Sequence, residues 1–233
     1  MRPFGLLLGL LLLLGCKDKK QSISQHIDTE TPKTLPEETV ISKTDTIFFF
    51  YEEPQRLKEY VLVRFLDQKF DKDSICTANF KLDFIKDKKP LGSYKIQIKG
   101  FDQGSDWSGS LELDSIASPL KSIRVGYPAC GYNQNNFLFH TQGKKIDLVH
   151  QWLSMSDSGW GTWGKIVSGT PQDFYFRMES YLPDDNEEEM GISECFDSTH
   201  FELKDNRWAK KLLTPQGKAY RSKKLSFNDF HKS

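Results

Sequence analysis

Two tryptophans in a glycine-rich segment are the residues of this chain best suited to bind a ligand. Trp160 and Trp163 follow Trp152 within twelve residues, and Gly159 and Gly161 flank Trp160. An indole ring has a broad apolar face that can stack on the C–H face of a sugar, so an exposed pair would form a glycan-binding platform. The alternative is that both rings fill the core or cap the end of a sheet, with glycine permitting the bends. The sequence leaves both interpretations open.

The cysteines need separate interpretations, and the chain has four of them. Cys76 falls on the apolar side of an alternating segment and is predicted to be a small buried hydrophobe. Cys130 lies in a predicted turn and Cys195 near the start of a predicted strand, so these two form a candidate disulfide. Such a bridge would close a loop of about 65 residues and stabilise the domain by about 4 kcal/mol. Sequence alone does not fix the pairing.

Catalytic motifs are missing from the sequence or fail in their local setting. The chain has no GxSxG, HExxH, P-loop or GxGxxG pattern. Ser118 and Lys121 match the SxxK spacing of penicillin-recognising enzymes, but that motif needs a helix, and the surrounding residues predict a loop leading into a strand. His150 shares a face with Leu148 and Trp152, which favours a packed core histidine over a general base. We therefore assign no catalytic residue.

No metal site or cofactor is assigned either. The acidic run at residues 184–189 offers carboxylates, which hard cations prefer, but it lacks the spacing of an EF-hand loop. Its like charges repel one another, so we expect a solvated loop between two strands. The cysteines show no CxxC spacing, which leaves structural zinc without support.

A short pattern of aspartate, a hydroxyl residue and then an apolar residue or threonine occurs four times. The hydroxyl residues are Thr46, Ser74, Ser115 and Ser198, each followed by an apolar residue or threonine. The pattern resembles the O-glycosylation motif of exported Bacteroidetes proteins, which implies candidate O-glycosylation at these four residues. Asp-Ser and Asp-Thr also occur where a turn enters a strand, and this second interpretation suits all four positions.

The N-terminus has the pattern of a cleaved secretion signal. Arg2 precedes an uncharged segment, residues 3–15, that is too short to span a bilayer as a mature helix. Gly15 leads directly into Cys16, and the end of the segment resembles the lipobox of bacterial lipoproteins. The resemblance implies that residues 1–15 are removed and that Cys16 becomes a lipid-anchored N-terminus. The alternative is an ordinary secreted protein with a chance cysteine.

The residues after Cys16 indicate where the anchored protein is delivered. Lys17 stands where an aspartate would favour retention in the inner membrane, so the resemblance implies the outer membrane of the cell envelope. Lys17 and Asp18 also resemble the surface-export signal of Bacteroidetes lipoproteins. Whether the domain faces the periplasm or the cell surface stays open.

Charge and composition exclude nucleic acid as a partner. The chain has 32 basic and 32 acidic side chains, and removal of residues 1–15, which contain one charged residue, Arg2, leaves a formal charge of −1. Nucleic-acid binding needs a basic face, which this balance does not predict.

Residues 16–45 are polar and lack apolar periodicity. They predict a lipid anchor and a disordered, flexible tether with an r.m.s. reach of roughly 30 Å.

From Thr46 onward, apolar and polar residues alternate with a period of two, which is typical of half-buried strands. The predicted strands are 46–51, 60–66, 75–85, 93–100, 107–113, 122–127, 136–141, 145–153, 164–167, 174–182, 195–203 and 207–212. Short strands at this spacing predict an all-β domain at residues 46–233, an antiparallel β-sandwich or a barrel-like fold. We assign no strand after Leu212, so the residues from 213 onward are predicted to form a C-terminal tail.

These observations favour a membrane-anchored envelope lipoprotein with a non-enzymatic binding domain. Its partner would be an envelope protein, a peptide or a glycan. The tether, the β-rich domain and the lack of a catalytic motif all support this class. A hydrolase acting on an envelope or extracellular polymer is one alternative, and a structural envelope component is another.

Overall fold

The fold was analysed in a computed structural model, which describes residues 44–50, 57–113, 118–187 and 189–232. The predicted signal peptide, Cys16, nearly all of the tether and Ser115 lie outside the described residues.

A four-stranded antiparallel sheet opens the described chain. Its strands are β1 (Thr44–Phe48), β2 (Glu59–Phe70), β3 (Cys76–Lys86) and β4 (Lys89–Lys99), and they neighbour one another in sequence order. The alternation that predicted β3 is confirmed, because one face of this strand is buried throughout. The buried residues of that face are Cys76, Ala78, Phe80, Leu82 and Phe84.

The second sheet has nine strands and is also antiparallel. Its strands are β5 (Asp106–Leu111), β6 (Leu120–Gly126), β7 (Asn133–Gln142), β8 (Lys145–Asp157), β9 (Trp160–Thr170), β10 (Asp173–Pro183), β11 (Met190–Lys204), β12 (Arg207–Leu212) and β13 (Arg221–Ser226). Strands β5 to β12 neighbour one another in sequence order, while β12 and β13 pair with different parts of β11. A short helix, α1 (Phe227–Lys232), follows β13.

The nine-stranded sheet curls over its own inner face. Four strands separate β7 from β12, so a flat sheet would hold them about 24 Å apart. The ring centroids of His140 on β7 and Trp208 on β12 are nevertheless only 5.2 Å apart. At the same end, Lys145 Nζ donates a hydrogen bond of 2.7 Å to the carbonyl oxygen of Asn206. Strands from opposite halves of the sheet therefore face each other.

Two hydrophobic clusters fill the spaces that this arrangement creates. The first lies between the small sheet and the outer face of β6 and β7, where Ile123, Val125, Phe137 and Phe139 meet the buried face of β3. The second lies inside the curl. Its fully buried members are Leu120, Leu138, Phe174, Phe176 and Phe201, together with the nearly buried Met178.

A buried ion pair links the two sheets. Lys121 on β6 has a side chain only 3% exposed, and its Nζ lies 2.8 Å from the carboxylate of Glu59 on β2. Lys86 reaches the other oxygen of the same carboxylate at 2.7 Å. Burial alone would raise the pKa of Glu59, but the hydrogen bonds from Lys121 and Lys86 lower it below its ordinary value. Burial also lowers the pKa of Lys121, against the effect of its contact with Glu59. The Glu59 carboxylate is therefore held charged between the layers by the two lysines.

The predicted all-β, antiparallel, sandwich-like fold is confirmed. Each predicted strand overlaps an observed one, and both sheets are open within the described residues. The C-terminal tail differs from the prediction, because β13 and α1 occupy residues 221–232. The sequence does not predict β13, because most of its residues are exposed and they show little apolar alternation. Its sequence is Arg-Ser-Lys-Lys-Leu-Ser.

His150, inside the curl, gives the fold a pH dependence. Burial, and secondarily the charge of Lys210, lowers the pKa of His150 to about 4 from its ordinary 6.5. Between these values the unfolded chain binds a proton that the folded chain does not. The free energy of unfolding should therefore fall by up to about 3 kcal/mol as the pH decreases from 6.5 to 4.

Urea unfolding at pH 7 and at pH 4.5 measures this effect. Replacing His150 by Phe should reduce the loss of stability at the lower pH, because the aromatic contacts can persist without a titrating group. An identical pH dependence in the wild type and His150→Phe would contradict the assignment.

Candidate functional site

A cleft at the rim of the curl is lined mainly by hydroxyl and amide side chains, and we name it the serine cleft. It has a volume of about 330 Å³. Its lining residues are Ser108, Gly109, Ser110, Glu112, Ser122, Arg124, Asn136, Trp152, Ser154, Trp163 and Gly164. Strands β5 to β9 thus all contribute to one surface.

Strand register explains why the polar residues converge. Ser110 pairs with Ser122, and Ser108 pairs with Arg124, so these four side chains share one face of β5 and β6. Ser122 in turn pairs with Leu138, which belongs to the cluster inside the curl. The inner face of the sheet is therefore apolar at one end and hydroxyl-rich at the other.

Buried polar side chains form the floor of the serine cleft. Asn136, Ser122 and Ser154 are each less than 10% exposed. Asn136 Nδ2 donates hydrogen bonds to Ser154 Oγ at 2.9 Å and to the carbonyl oxygen of Gln134 at 3.0 Å. Serine hydroxyls and carboxamides can both donate and accept hydrogen bonds, so this floor suits a ligand that offers both kinds of group.

Two indole rings border the serine cleft. Trp152 packs on Phe176, with ring centroids 4.9 Å apart, and Trp163 lies across β9 from it. Gly164 permits this approach, because a Cβ there would stand 2.6 Å from the Trp152 indole nitrogen and 2.4 Å from Phe176. Glycine at this position therefore lets Trp152 and Phe176 pack closely over β9.

A second cleft of about 860 Å³ lies on the other side of Trp163, and we name it the cationic cleft. Its lining residues are Ser156, Gly159, Trp163, Lys165, Arg177, Glu179, Ser193, Cys195, Arg221, Lys223, Leu225, Asp229, Phe230 and His231. It is built on β9, β10, β11 and β13, and α1 forms one wall. Trp163 stacks on Phe230 of that helix, with centroids 5.9 Å apart.

One carboxylate organises the centre of the cationic cleft. Glu179 lies 2.6 Å from Lys165 Nζ and forms a short contact with Arg177. Burial alone would raise the pKa of Glu179, but these two hydrogen-bonding cations lower it. The same contacts with Glu179 raise the pKa of Arg177, against the effect of burial. Glu179 and Arg177 are therefore both held in their charged forms.

Trp160, the other tryptophan singled out from the sequence, lies in an aromatic stack. Its ring is 4.5 Å from that of Tyr181 at an interplanar angle of 14°, and Phe227 of α1 lies 5.1 Å away. Tyr181 also stacks on Phe230 at 4.0 Å. A Cβ at Gly191 would come within 2.4 Å of Trp160, so glycine is needed there. The structure thus separates a tryptophan that packs, Trp160, from one that borders two clefts, Trp163.

A third cleft, of about 690 Å³, adjoins both of the others. Thr46 and Cys130 lie on it, beside Asp106 and Trp107. It shares Ser108 and Arg124 with the serine cleft and Ser156 with the cationic cleft. We name it the Cys130 cleft. The three clefts therefore share lining residues at the rim.

The candidate disulfide between Cys130 and Cys195 is not formed in the structure, where both are free thiols, as is Cys76. Cys130 is exposed in the turn between β6 and β7. Cys195 is buried in β11 and lies opposite Glu179, with its Sγ 3.8 Å from the carboxylate. The thiol of Cys195 therefore points at β10 and not at the turn.

The candidate O-glycosylation residues occupy different settings. Thr46 is exposed on β1, and Ser74 is exposed in the turn before β3 with a φ of 60°. Ser198 is half-buried on β11, where its backbone N–H donates to Thr214 Oγ1 at 3.1 Å. The hydroxyls of Thr46 and Ser74 are therefore on exposed residues, as attachment of a sugar requires. Modification at each of the four residues stays a prediction.

The residues considered for catalysis do not form an obvious reactive centre. Lys121 Nζ donates to the carbonyl oxygen of Ser118 at 3.2 Å, while Ser118 Oγ accepts from the N–H of Leu120. The SxxK pattern is therefore a structural element of a buried ion pair. His200 Nε2 lies 2.7 Å from the Asp173 carboxylate, and among the described residues no hydroxyl or thiol forms a hydrogen bond with the imidazole or with that carboxylate.

Three further observations concern metals and membranes. Among residues 44–50, 57–113, 118–187 and 189–232, no group of three His, Cys, Asp or Glu side chains is placed to hold a metal ion. In the acidic run, Asp184 and Glu187 both pair with Lys224 of β13, at 2.5 and 2.7 Å. The same ranges contain no helix that is long and apolar enough to cross a bilayer.

Comparisons with protein-family models, with curated proteins and with solved structures gave no match.

Sequence reasoning identified Trp163 but missed the groups around it. The four cations of the cationic cleft lie on three different strands, so no local sequence motif predicts that they meet. They are Lys165, Arg177, Arg221 and Lys223. The serine cleft did leave a signal. Hydroxyl residues at alternate positions in β5 lie where an apolar inner face would be expected.

The two tryptophans should respond differently to truncation. Trp160→Ala should lower the free energy of unfolding by about 3 kcal/mol, because the ring stacks on Tyr181 and Phe227. Trp163→Ala should cost about 1 kcal/mol, because its ring stacks on one partner, Phe230, and borders open clefts, although both tryptophans are half-buried. Denaturant midpoints measure both, and equal losses at the two positions would contradict this division.

Proposed function

We propose that this protein is a lipid-anchored envelope lipoprotein whose β-rich domain binds a glycan along the three connected clefts. The observation that carries the proposal is the position of Trp163, between a hydroxyl-lined cleft and a charged one. The binding is non-enzymatic, and the domain serves as a recognition module. The ligand is an oligosaccharide or polysaccharide, since three adjoining clefts accommodate several sugar units.

The lining of the serine cleft matches the chemistry of a sugar ring. A sugar offers many hydroxyls, each of which donates and accepts hydrogen bonds, and it also has apolar C–H faces. Ser122, Asn136 and Ser154 provide groups of both hydrogen-bonding kinds on the floor. Trp152 and Trp163 provide apolar ring surface at the border.

A peptide ligand fits these clefts less well. An amphipathic helix needs an apolar groove, and an extended peptide pairs with a free sheet edge. The serine cleft instead presents hydroxyl, amide and charged groups on the inner face of paired strands. The serine cleft therefore does not offer the apolar groove that an amphipathic helix needs.

The sequence supports the location. Residues 6–16 resemble a lipobox that ends in Cys16, and the polar residues 17–45 suit a tether. A lipid anchor with a flexible tether would keep the clefts near the outer membrane while leaving the domain free to turn toward an envelope or extracellular polymer.

An array of neutral and acidic glycans tests the binding proposal. The full chain should bind at least one glycan class, and Trp163→Ala should weaken that binding by about tenfold through loss of ring stacking. Tyr175→Ala is the matched control, because Tyr175 is an exposed aromatic residue on β10 outside the three clefts. Failure to bind any glycan, or equal binding by Trp163→Ala, would contradict the proposal.

Replacing Cys16 by Ala tests the anchor. The variant should keep a folded domain but either leave membranes or retain its uncut signal, because the lipid would be attached through this thiol. Membrane fractionation and the mass of the mature chain measure both outcomes. A variant that is cut normally and still sediments with membranes would count against the lipid anchor.

A further inference from the structure

The cationic cleft carries more positive charge than its own carboxylates neutralise. Four lining residues are cationic at neutral pH, Lys165, Arg177, Arg221 and Lys223. Two are anionic, Glu179 and Asp229, which gives a formal charge of +2 when His231 is neutral. The whole chain is balanced, with equal numbers of basic and acidic residues, so this excess is a local property.

The fold places two of these cations directly opposite each other. Lys165 on β9 pairs with Arg177 on β10, and like charges in this position destabilise a sheet. Glu179 compensates both, and its carboxylate is fully engaged by doing so. One carboxylate carries one negative charge against the two positive charges of Lys165 and Arg177. A bound anion near these two side chains would balance the remaining positive charge.

The other two cations extend the same surface. Arg221 pairs with Cys195, and Cys195 pairs with Glu179, so Arg221 lies on the face that carries Glu179. Lys223 is two residues further along β13 on that face. Both side chains are exposed, and neither has a carboxylate within 4 Å in the described part of the chain.

The second carboxylate of the cleft is committed elsewhere. Ser226 caps α1, because its Oγ accepts a hydrogen bond from the backbone N–H of Asp229 at 3.1 Å and donates one to the Asp229 carboxylate at 2.7 Å. No ion pair joins Asp229 to Arg221 or Lys223 among the described residues. These two cations are therefore available to a ligand.

We infer that the glycan bound by this domain is acidic and places a carboxylate or sulfate group in the cationic cleft, beside Trp163. This inference rests on the proposed function and names the class of its ligand. The serine cleft has one Arg and one Glu, so it receives an uncharged part of the same chain. The Cys130 cleft contains Asp45, Asp106 and Arg124 and is not cationic. The charge difference fixes the direction in which an acidic glycan lies.

Matched probes isolate the charge. Oligogalacturonate and its methyl ester have the same sugar rings and differ in whether the carboxylate is ionised, and sulfated and unsulfated galactan oligomers form a second pair. Binding of each probe to the full chain is measured by calorimetry at low and at moderate salt. At least one acidic member should bind more tightly than its neutral partner, with an advantage that shrinks as salt increases.

Two double variants test where the charge is recognised. Arg221→Gln with Lys223→Gln should weaken binding of the acidic probe by roughly tenfold and leave the neutral probe unchanged. Lys89→Gln with Lys99→Gln is the control, since it removes the same charge from exposed positions on β4 and should change neither. Circular dichroism of each variant verifies that the fold is retained.

The outcomes separate this inference from the proposed function. Equal binding of the acidic and neutral members of both pairs, or binding of only neutral glycans on the array, overturns the acidic class while glycan binding stands. Equal weakening by the two double variants also overturns it, because the charge would then act over the whole surface. If single-stranded oligonucleotides bind and no glycan on the array does, both the inference and the proposed function fail.

Discussion

The curl of the nine-stranded sheet is the constraint from which the binding surface follows. Strands β7 and β12 meet because aromatic side chains inside the curl, among them His150, Phe176 and Phe201, pack on one another across it. These rings fill one end of the inner face. At the other end β5 and β6 carry serines, which do not form an apolar core. An open polar cleft at that rim is the result.

Two supports hold the curled sheet in place. On its outer face, the small sheet packs against β6 and β7, and the buried pair of Glu59 and Lys121 joins the two layers. At the C-terminal end, Tyr181 stacks on Trp160 and on Phe230 of α1 and donates a hydrogen bond to the carbonyl oxygen of Leu225. The helix wall of the cationic cleft therefore depends on an aromatic stack and not on a loop alone.

The sequence predicts the strands well and the site only in part. A period of two marks β3 because burial on one face leaves a local trace, as Phe80, Leu82 and Phe84 show. The single apolar face predicted for β8 is wrong, because a register shift against β7 sends Leu148 to the first cluster and Trp152 to the second. The curl leaves no such trace, since it depends on contacts between β7 and β12 that are far apart in the chain. For the same reason, the same two interpretations, packing and ligand binding, stayed open for Trp160 and for Trp163 at the level of sequence. Only the register of β9 and the position of α1 distinguish them. The spacing of Cys130 and Cys195 likewise could not decide whether they form a disulfide, because that depends on the direction in which the buried Cys195 thiol points.

The indole N–H resonances of the folded protein test the central claim, that Trp163 lies at a glycan-binding surface. The chain has five tryptophans, so each indole can be resolved by NMR and the Trp163 signal assigned with a Trp163→Phe variant. On titration with a bound acidic oligosaccharide, the account predicts that the Trp163 resonance moves to saturation. The Trp208 resonance, from a ring packed on His140 and Phe174 inside the curl, should stay in place. A saturating ligand that leaves Trp163 unchanged would contradict the account.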